Sequence, residues 1–269
     1  MPLAVCLGYA LGAALVLAPN RLLAQGVSAE IIQLKTRPDV TQQYLSIRET
    51  APVKAVTVLF TGGEAALKFA GTFPNIRWEP DASSYVVRAR MHFRDQETAV
   101  VIVDAPSDVW RRGQDQHFRS SPDHMEDMRQ VVADVKNRFP GARIYLVGTS
   151  MGTVSAARVG KTLGKEIDGV VLTSLISVGP MTLGGSDFDS YPVPLLLVHH
   201  VNDPCQWTPY RFVKSLADRY PVIEVAGGES AKDNGCGPMG PHGFLGREKE
   251  VAYEIKNWIH GRSYRKQIQ

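Results

Sequence analysis

Gly148-Thr149-Ser150-Met151-Gly152 follows the apolar residues 144–147 and precedes residues 154–163, whose alanines, leucine and spaced basic residues suit a helix. A continuous apolar run of this length reads as a strand covered on both faces. The serine therefore falls at a strand-to-helix turn, and a glycine on either side lets the two elements approach closely. Such a turn lifts the Ser150 hydroxyl clear of the sheet and aims the Met151 N–H at whatever the hydroxyl attacks. The helix start adds a favourable field for a developing oxyanion. The implied chemistry is nucleophilic, but a free alcohol is inert, so a base must be found.

Two requirements select the partners of Ser150. Each should sit in a loop after a strand, and the chain order should be serine, acid, histidine. Asp203, in Val201-Asn202-Asp203-Pro204-Cys205, follows an apolar strand that ends in His199-His200. It would hold an imidazole in one tautomer and stabilise the imidazolium. Asp187 and Asp189 are the fallback acids. His242, in Gly240-Pro241-His242-Gly243-Phe244, lies after the last strand and before the closing helix, where it would act as general base and then acid. His199 and His200 compete for that role. Adjacent on a strand, they point to opposite sides and are poorly placed to chelate one metal. No H-x-x-H or H-E-x-x-H spacing occurs, so no metal is expected. His92, His117, His124 and His260 have no supporting context and read as structural or surface residues. Gly62-Gly63-Glu64, after the first core strand, would supply a second oxyanion donor beside Met151, from the amide of Gly63 or Glu64.

Cys205 lies two residues beyond Asp203, and Cys236 lies six before His242. If the acid and the histidine touch, their loops are neighbours, and a Cys205–Cys236 disulfide would tie one to the other. Closing such a loop would contribute about 3 kcal/mol in the chain-entropy model.

The elements that must position these residues alternate. Residues 30–35 and 44–48 read as an opening antiparallel hairpin around Arg37-Pro38-Asp39. Strands follow at 53–60, 99–103, 144–147, 169–173, 194–200 and 221–225, while 85–93 is ambiguous between helix and strand. Helices are expected at 122–139, capped by Ser121 with Pro122 at its first position, at 154–163 and at 247–260. In the first of these, Met125, Met128, Val132 and Val135 recur at helical spacing and should face the sheet. Strand–helix alternation from residue 53 onward implies a mostly parallel sheet with helices on both faces, and sites at the strand C-termini.

The chain has 269 residues, is 44% hydrophobic and 21% charged, and carries a net charge of +3. This suits one large α/β domain with a sizeable core and is too mildly basic to argue for nucleic acid. Residues 1–24 read as an export signal: 3–19 are almost uninterrupted apolar and small residues, and Ala24 stands before a possible cleavage point. The apolar run is short for a spanning helix of about 20 residues. Residues 25–269 would then form one mature domain, periplasmic or secreted, with no stable membrane insertion after cleavage. Cleavage would also remove Cys6 and leave an even pair of cysteines in an oxidising compartment. The basic residues 262–266 read as a solvated end.

On Gly148-Thr149-Ser150-Met151-Gly152, the Gly62-Gly63 loop, Asp203 and His242, the chain resembles the α/β-hydrolase superfamily over residues 53–260. Val103-Asp104-Ala105-Pro106-Ser107-Asp108, the paired cysteines and His242-Gly243-Phe244 look like small exported hydrolases. The resemblance implies a three-layer α/β-hydrolase fold and a serine hydrolase that needs no cofactor. Only residues 174–193 join two core strands, too few for a helical cap, so an open site is expected. A carboxylesterase on small or exposed acyl esters leads, with oligomeric state unspecified. A peptidase, thioesterase, polyester depolymerase or acyltransferase would use the same constellation. A non-catalytic binding protein and a membrane-tethered interaction protein are the alternatives of other classes. Trp110, Trp207 and Tyr210 either line an acyl pocket or pack, and Asp104 and Asp108 either border the pocket or cap the strand end.

Overall fold

The computed structural model describes residues 26–50, 52–79 and 83–269; the expected export signal lies outside them. The chain opens with an antiparallel hairpin, β1 (Ser28–Arg37) and β2 (Val40–Arg48), longer at both strands than the sequence reading. β3 (Ala55–Phe60) follows. The ambiguous stretch resolves into two short helical turns, α1 (Tyr85–Arg88) and α2 (Arg90–Phe93). Next come β4 (Thr98–Val103), α3 (Gln116–Arg119), α4 (Pro122–Arg138), β5 (Arg143–Thr149) and α5 (Gly152–Leu163). The chain closes with β6 (Gly169–Thr173), β7 (Leu195–His200), α6 (Tyr210–Ser215), β8 (Val222–Val225), α7 (Glu248–Ile259) and β9 (Gln267–Ile268).

These strands form one nine-stranded sheet in the order β1-β2-β4-β3-β5-β6-β7-β8-β9. The β1–β2 and β2–β4 pairs are antiparallel and every other pair is parallel. Because strand side chains alternate between faces, each central strand feeds two cores. On one face Ile144, Leu146, Val170 and Leu172 pack with Met128, Val132 and Val135 of α4 and Ala156 and Val159 of α5. On the other, Tyr145, Val147 and Val171 pack with Phe93 of α2 and Val251 and Ile255 of α7. The sheet is thus mostly parallel with helices around it. The Ser121 hydroxyl accepts the His124 N–H at the start of α4, with Pro122 at its first position, as the sequence implies. Met125 is only partly buried, and Val131 takes the core position beside Val132 instead.

Residues 174–194, between β6 and β7, contain one short 3-10 turn, Gly185–Phe188, and no α-helix. The parallel strands and their crossovers bring the ends of β3, β5, β7 and β8 to one edge, without a helical cap between β6 and β7. Among the described residues no helix is long and apolar enough to cross a membrane.

Residues 262–266 are mostly exposed, as expected of a solvated end, and two of their charges meet carboxylates, while the chain beyond them returns to the sheet. Arg262 pairs with Glu97 and Arg265 with Glu254. Ile268 is fully buried as β9 pairs with β8. Too few residues remain after α7 for a periodic signal, so this strand is invisible to pattern reading. Ile268→Ala should therefore lower stability by about 2–4 kcal/mol, read as a reduced urea midpoint with an unchanged slope.

Candidate active site

Ser150 sits between β5 and α5 with φ at +51°, a left-handed conformation uncommon for a residue with a Cβ. What holds it there is close packing on both sides. A Cβ placed on Gly152 would lie 2.1 Å from the Phe60 carbonyl oxygen, and one on Gly148 would lie 2.4 Å from the Gly152 carbonyl oxygen. The Ser150 N–H donates to the Thr173 carbonyl at 3.0 Å, and the Ser150 carbonyl accepts from the Thr153 N–H at 2.8 Å and its hydroxyl at 2.6 Å. The backbone of Ser150 is thus locked by β6 and by the first turn of α5.

Asp203 follows β7, and His242 lies in the 3-10 turn Pro241–Gly243 after β8. The structure brings them together. His242 Nδ1 is 3.0 Å from Asp203 Oδ2 and 3.2 Å from Oδ1. With Nδ1 donating to the carboxylate, the neutral ring carries its lone pair on Nε2. Nε2 is buried and has no hydrogen-bond partner among the described residues. Ser150 and His242 line the same cavity, of about 470 Å³. No hydrogen bond joins the Ser150 hydroxyl to Nε2, and such contacts commonly tighten only around substrate. The histidine is anchored through its backbone as well. The Ser174 hydroxyl donates to the His242 carbonyl at 2.7 Å, and Arg88 donates to the Pro238 and Gly243 carbonyls on either side of it.

The Asp203 side chain is 0% exposed, so donors must replace water around its charge. Cys205 N–H reaches Oδ1 at 2.9 Å, and the Thr208 hydroxyl reaches Oδ2 at 2.8 Å. His199 Nε2 stands 3.4 Å from Oδ2 and 2.9 Å from the Thr208 carbonyl oxygen. Burial pushes the Asp203 carboxyl up, but the hydrogen bonds of His199 and His242, the charge of His242 and the Cys205 N–H outweigh it. Its pKa lies well below the ordinary carboxylate range. His200, by contrast, is held by the Gly227 carbonyl and the Asn202 N–H. The fallback acids are committed elsewhere: Asp187 to Arg158, Lys161 and the Gly184 N–H, and Asp189 to Arg219.

Cys205 and Cys236 are joined in a disulfide across a sequence separation of 31, and Cys236 lines the cavity. The bond links the Asp203 loop to the segment leading into His242. Met151 opens α5, and Gly62, Gly63 and Glu64 line the cavity facing Ser150. Gly62 lies directly against Ser150: a Cβ there would stand 3.2 Å from the serine's own Cβ. The N–H groups of Met151, Gly63 and Glu64 donate to no partner among the described residues. Trp110 lines the cavity, whereas Trp207 is 41% exposed and Tyr210 bonds Glu224. Asp104 caps the loop behind the cavity, accepting from the Leu67, Phe69 and Ala105 amides, and Asp108 pairs with Arg37. Among the described residues no group of three or more His, Cys, Asp or Glu side chains is placed to hold a metal ion.

Thr208 and Ser174 escape sequence reasoning because hydroxyl residues in loops carry no distinguishing pattern. His199 carries a weak signal, standing four residues before the acid at a strand end. His124 is a core residue between Phe60 and Phe118, and burial holds its pKa down at about 3.

Comparison with known proteins places this geometry. A hydrolase family model described as serine aminopeptidase, S33, matches residues 84–206. A serine hydrolase without a lid from Xanthomonas campestris superposes with a TM-score of 0.56 at 13% identity, covering 87% of this chain and 94% of that one. The chain has the α/β-hydrolase fold, and its residues 84–206 match that hydrolase family model. Est1E from Butyrivibrio proteoclasticus gives a TM-score of 0.56 at 12% identity, over 87% of this chain and 98% of its own. A cold-adapted esterase from an Arctic intertidal metagenomic library gives 0.50 at 12% identity, over 75% and 83%. At these identities the likeness to each solved structure is one of fold. No curated protein matches the chain significantly. The family model, over residues 84–206, supports a serine hydrolase.

Two outcomes follow from the Asp203 cluster and the disulfide. Asp203 is depressed in the folded state, so its contribution is present above the unfolded pKa of about 3.9 and fades as pH falls through the lower folded value. Asp203→Asn should therefore be less stable than wild type by about 2–4 kcal/mol at pH 7, and the gap should narrow when urea unfolding is repeated near pH 3. Replacing both cysteines by serine should lower stability by about 3 kcal/mol, measured against the oxidised wild type by the same method.

Proposed function

We propose that this chain is an exported carboxylesterase acting on small or exposed acyl esters through an acyl-enzyme. One observation carries the reading: His242 Nδ1 is tied to a buried carboxylate while its Nε2, unpartnered, belongs to the cavity that Ser150 also lines. In this reading Ser150 Oγ attacks the ester carbonyl carbon as its proton passes to His242 Nε2. The tetrahedral oxyanion is held by the Met151 N–H and by an amide at Gly63 or Glu64. Collapse breaks the bond to the alkoxy oxygen, which leaves as an alcohol with the proton from His242. Water then repeats the sequence on the acyl-enzyme, returning Ser150 to its starting state. Asp203 stabilises the transient imidazolium. No cofactor enters these steps.

The lack of a helical cap between β6 and β7 supports esters that are small or presented on a larger body, over long free chains that need a lid. Two of the solved relatives are described as an esterase and as a lidless serine hydrolase. The apolar residues 3–19 and the disulfide both suit export to an oxidising compartment, with 25–269 as the mature domain. A peptidase is the second reading, favoured by the description of the matching family model.

Hydrolysis of a chain-length series of chromogenic esters, set beside aminoacyl anilides, tests the choice. Activity should peak at short acyl chains, and Ser150→Ala and His242→Ala should each lower kcat by about 10⁴-fold or more while remaining folded. Faster cleavage of anilides than of any ester would move the assignment to a peptidase. Full activity in either variant would remove the residue concerned from the mechanism.

A further inference from the structure

Arg119, the last residue of α3, is 1% exposed and has no carboxylate within ion-pairing distance among the described residues. A buried guanidinium without a counter-ion is costly unless its donors are satisfied. Here they are satisfied almost wholly by backbone carbonyls. Nε donates to the Gln114 carbonyl at 3.1 Å and Nη1 to the Ser155 hydroxyl at 2.9 Å. Nη2 donates to the carbonyls of Thr61 at 3.2 Å and Gly63 at 2.9 Å. One cation thus joins α5, the helix that starts at the Ser150 turn, to the loop that faces Ser150.

The two carbonyls held by Nη2 fix two peptide planes. In a trans peptide the N–H points opposite to the C=O, so the Gly62 and Glu64 N–H groups both point away from the guanidinium. The Gly62 N–H meets the Ser84 hydroxyl at 3.4 Å. The Glu64 N–H meets no partner among the described residues, and Glu64 lines the cavity with Ser150. Gly63 has φ at +61°, which turns the chain so that its carbonyl faces inward. The Glu64 carbonyl is itself fixed by the Gln114 N–H at 2.8 Å. A cation on a carbonyl also polarises the amide of the same peptide and strengthens its N–H as a donor. Burial pulls the Arg119 pKa down to about 9, with Asp115 opposing, so the group keeps its charge at neutral pH.

We propose that Arg119 is a positioning residue that orients and polarises the Gly63–Glu64 peptide, making the Glu64 N–H the second oxyanion donor. The proposal rests on the serine-hydrolase reading above and chooses between its two candidate amides. Arg119 touches no reacting atom. It acts through a peptide that stabilises charge present in the transition state and absent from the bound ester.

The test is ester hydrolysis by Arg119→Met and Arg119→Lys, with kcat expressed per site titrated to completion by a fluorophosphonate. Arg119→Met should lose about 10–100-fold in kcat, with KM within about threefold of wild type because ground-state binding is untouched. The rate of fluorophosphonate labelling at Ser150 should fall in parallel, since the phosphonyl oxygen occupies the same hole. Arg119→Lys keeps the charge without the fork and should recover part of the loss. A folded Arg119→Met with unchanged kcat and labelling rate would overturn the proposal, as would a lysine variant no better than the methionine one. If Arg119→Met does not fold, Arg119→Lys and Ser155→Ala, which frees one guanidinium donor, decide: reduced kcat at constant KM supports the role, and wild-type kcat in both removes it. A wild type that neither turns over esters nor takes the label would instead overturn the hydrolase reading, and the inference with it.

Discussion

A carboxylate without water can stay ionised only where donors are brought to it, and Asp203 gathers donors from separate parts of the chain. His199 comes from β7, Cys205 and Thr208 from the loop beyond it, and His242 from the loop after β8. The cost of leaving that charge unsatisfied is several kcal/mol, about the scale of a domain's whole net stability. Meeting the demand therefore shapes the loops. The Asp203 segment must curl so that its own amide and hydroxyl point inward, and the His242 turn must reach across to supply the last donor. The Cys205–Cys236 bond, the Ser174 hydroxyl and the Arg88 guanidinium all act on this same junction.

A second buried charge, on the opposite side of the site, is managed in the opposite way. Arg119 has no carboxylate and spreads its positive charge over carbonyls of the Gly62-Gly63 loop and a hydroxyl of α5. The two charges lie on different elements around the same edge, an anion beneath the imidazole and a cation beneath the loop facing Ser150. Each uses charge-assisted hydrogen bonds to fix backbone that would otherwise be free to reorient.

Most of the scaffold was legible from residue pattern alone. The runs 144–147 and 169–173 are continuous apolar segments, and a strand buried on both faces has no other way to be written. The turn at Ser150 was legible because close approach demands glycine at 148 and 152, a requirement that sequence displays directly. The pairing of Asp203 with His242 was anticipated from order and loop position, and the two side chains do meet. Their catalytic roles, like that of Ser150, await experiment. What pattern could not reveal is instructive. β9 spans two residues, too short for any periodicity. Residues 85–93 mix apolar and basic side chains in a way compatible with either period, and packing against α7 and β4 settles them as helical turns. Thr208, Ser174 and Arg119 are found only in space, because nothing in the identity of a threonine, serine or arginine tells whether it faces solvent or a buried partner.

The packing beneath Ser150 also limits how this chain can change. The floor under the serine is made of Phe60 backbone, Gly148 and Gly152, where even one added carbon has no room. Preference for one ester over another cannot be adjusted from below. It must come from the rim, where Leu67, Trp110 and Pro238 stand on three separate loops. Trp110 and Pro238 are only partly buried and have room to change, whereas Leu67 is part of the apolar core and can change only in ways that the core accepts. Diversification of this site, in nature or in the laboratory, is thereby confined to a ring of loop residues around a floor that tolerates almost no substitution.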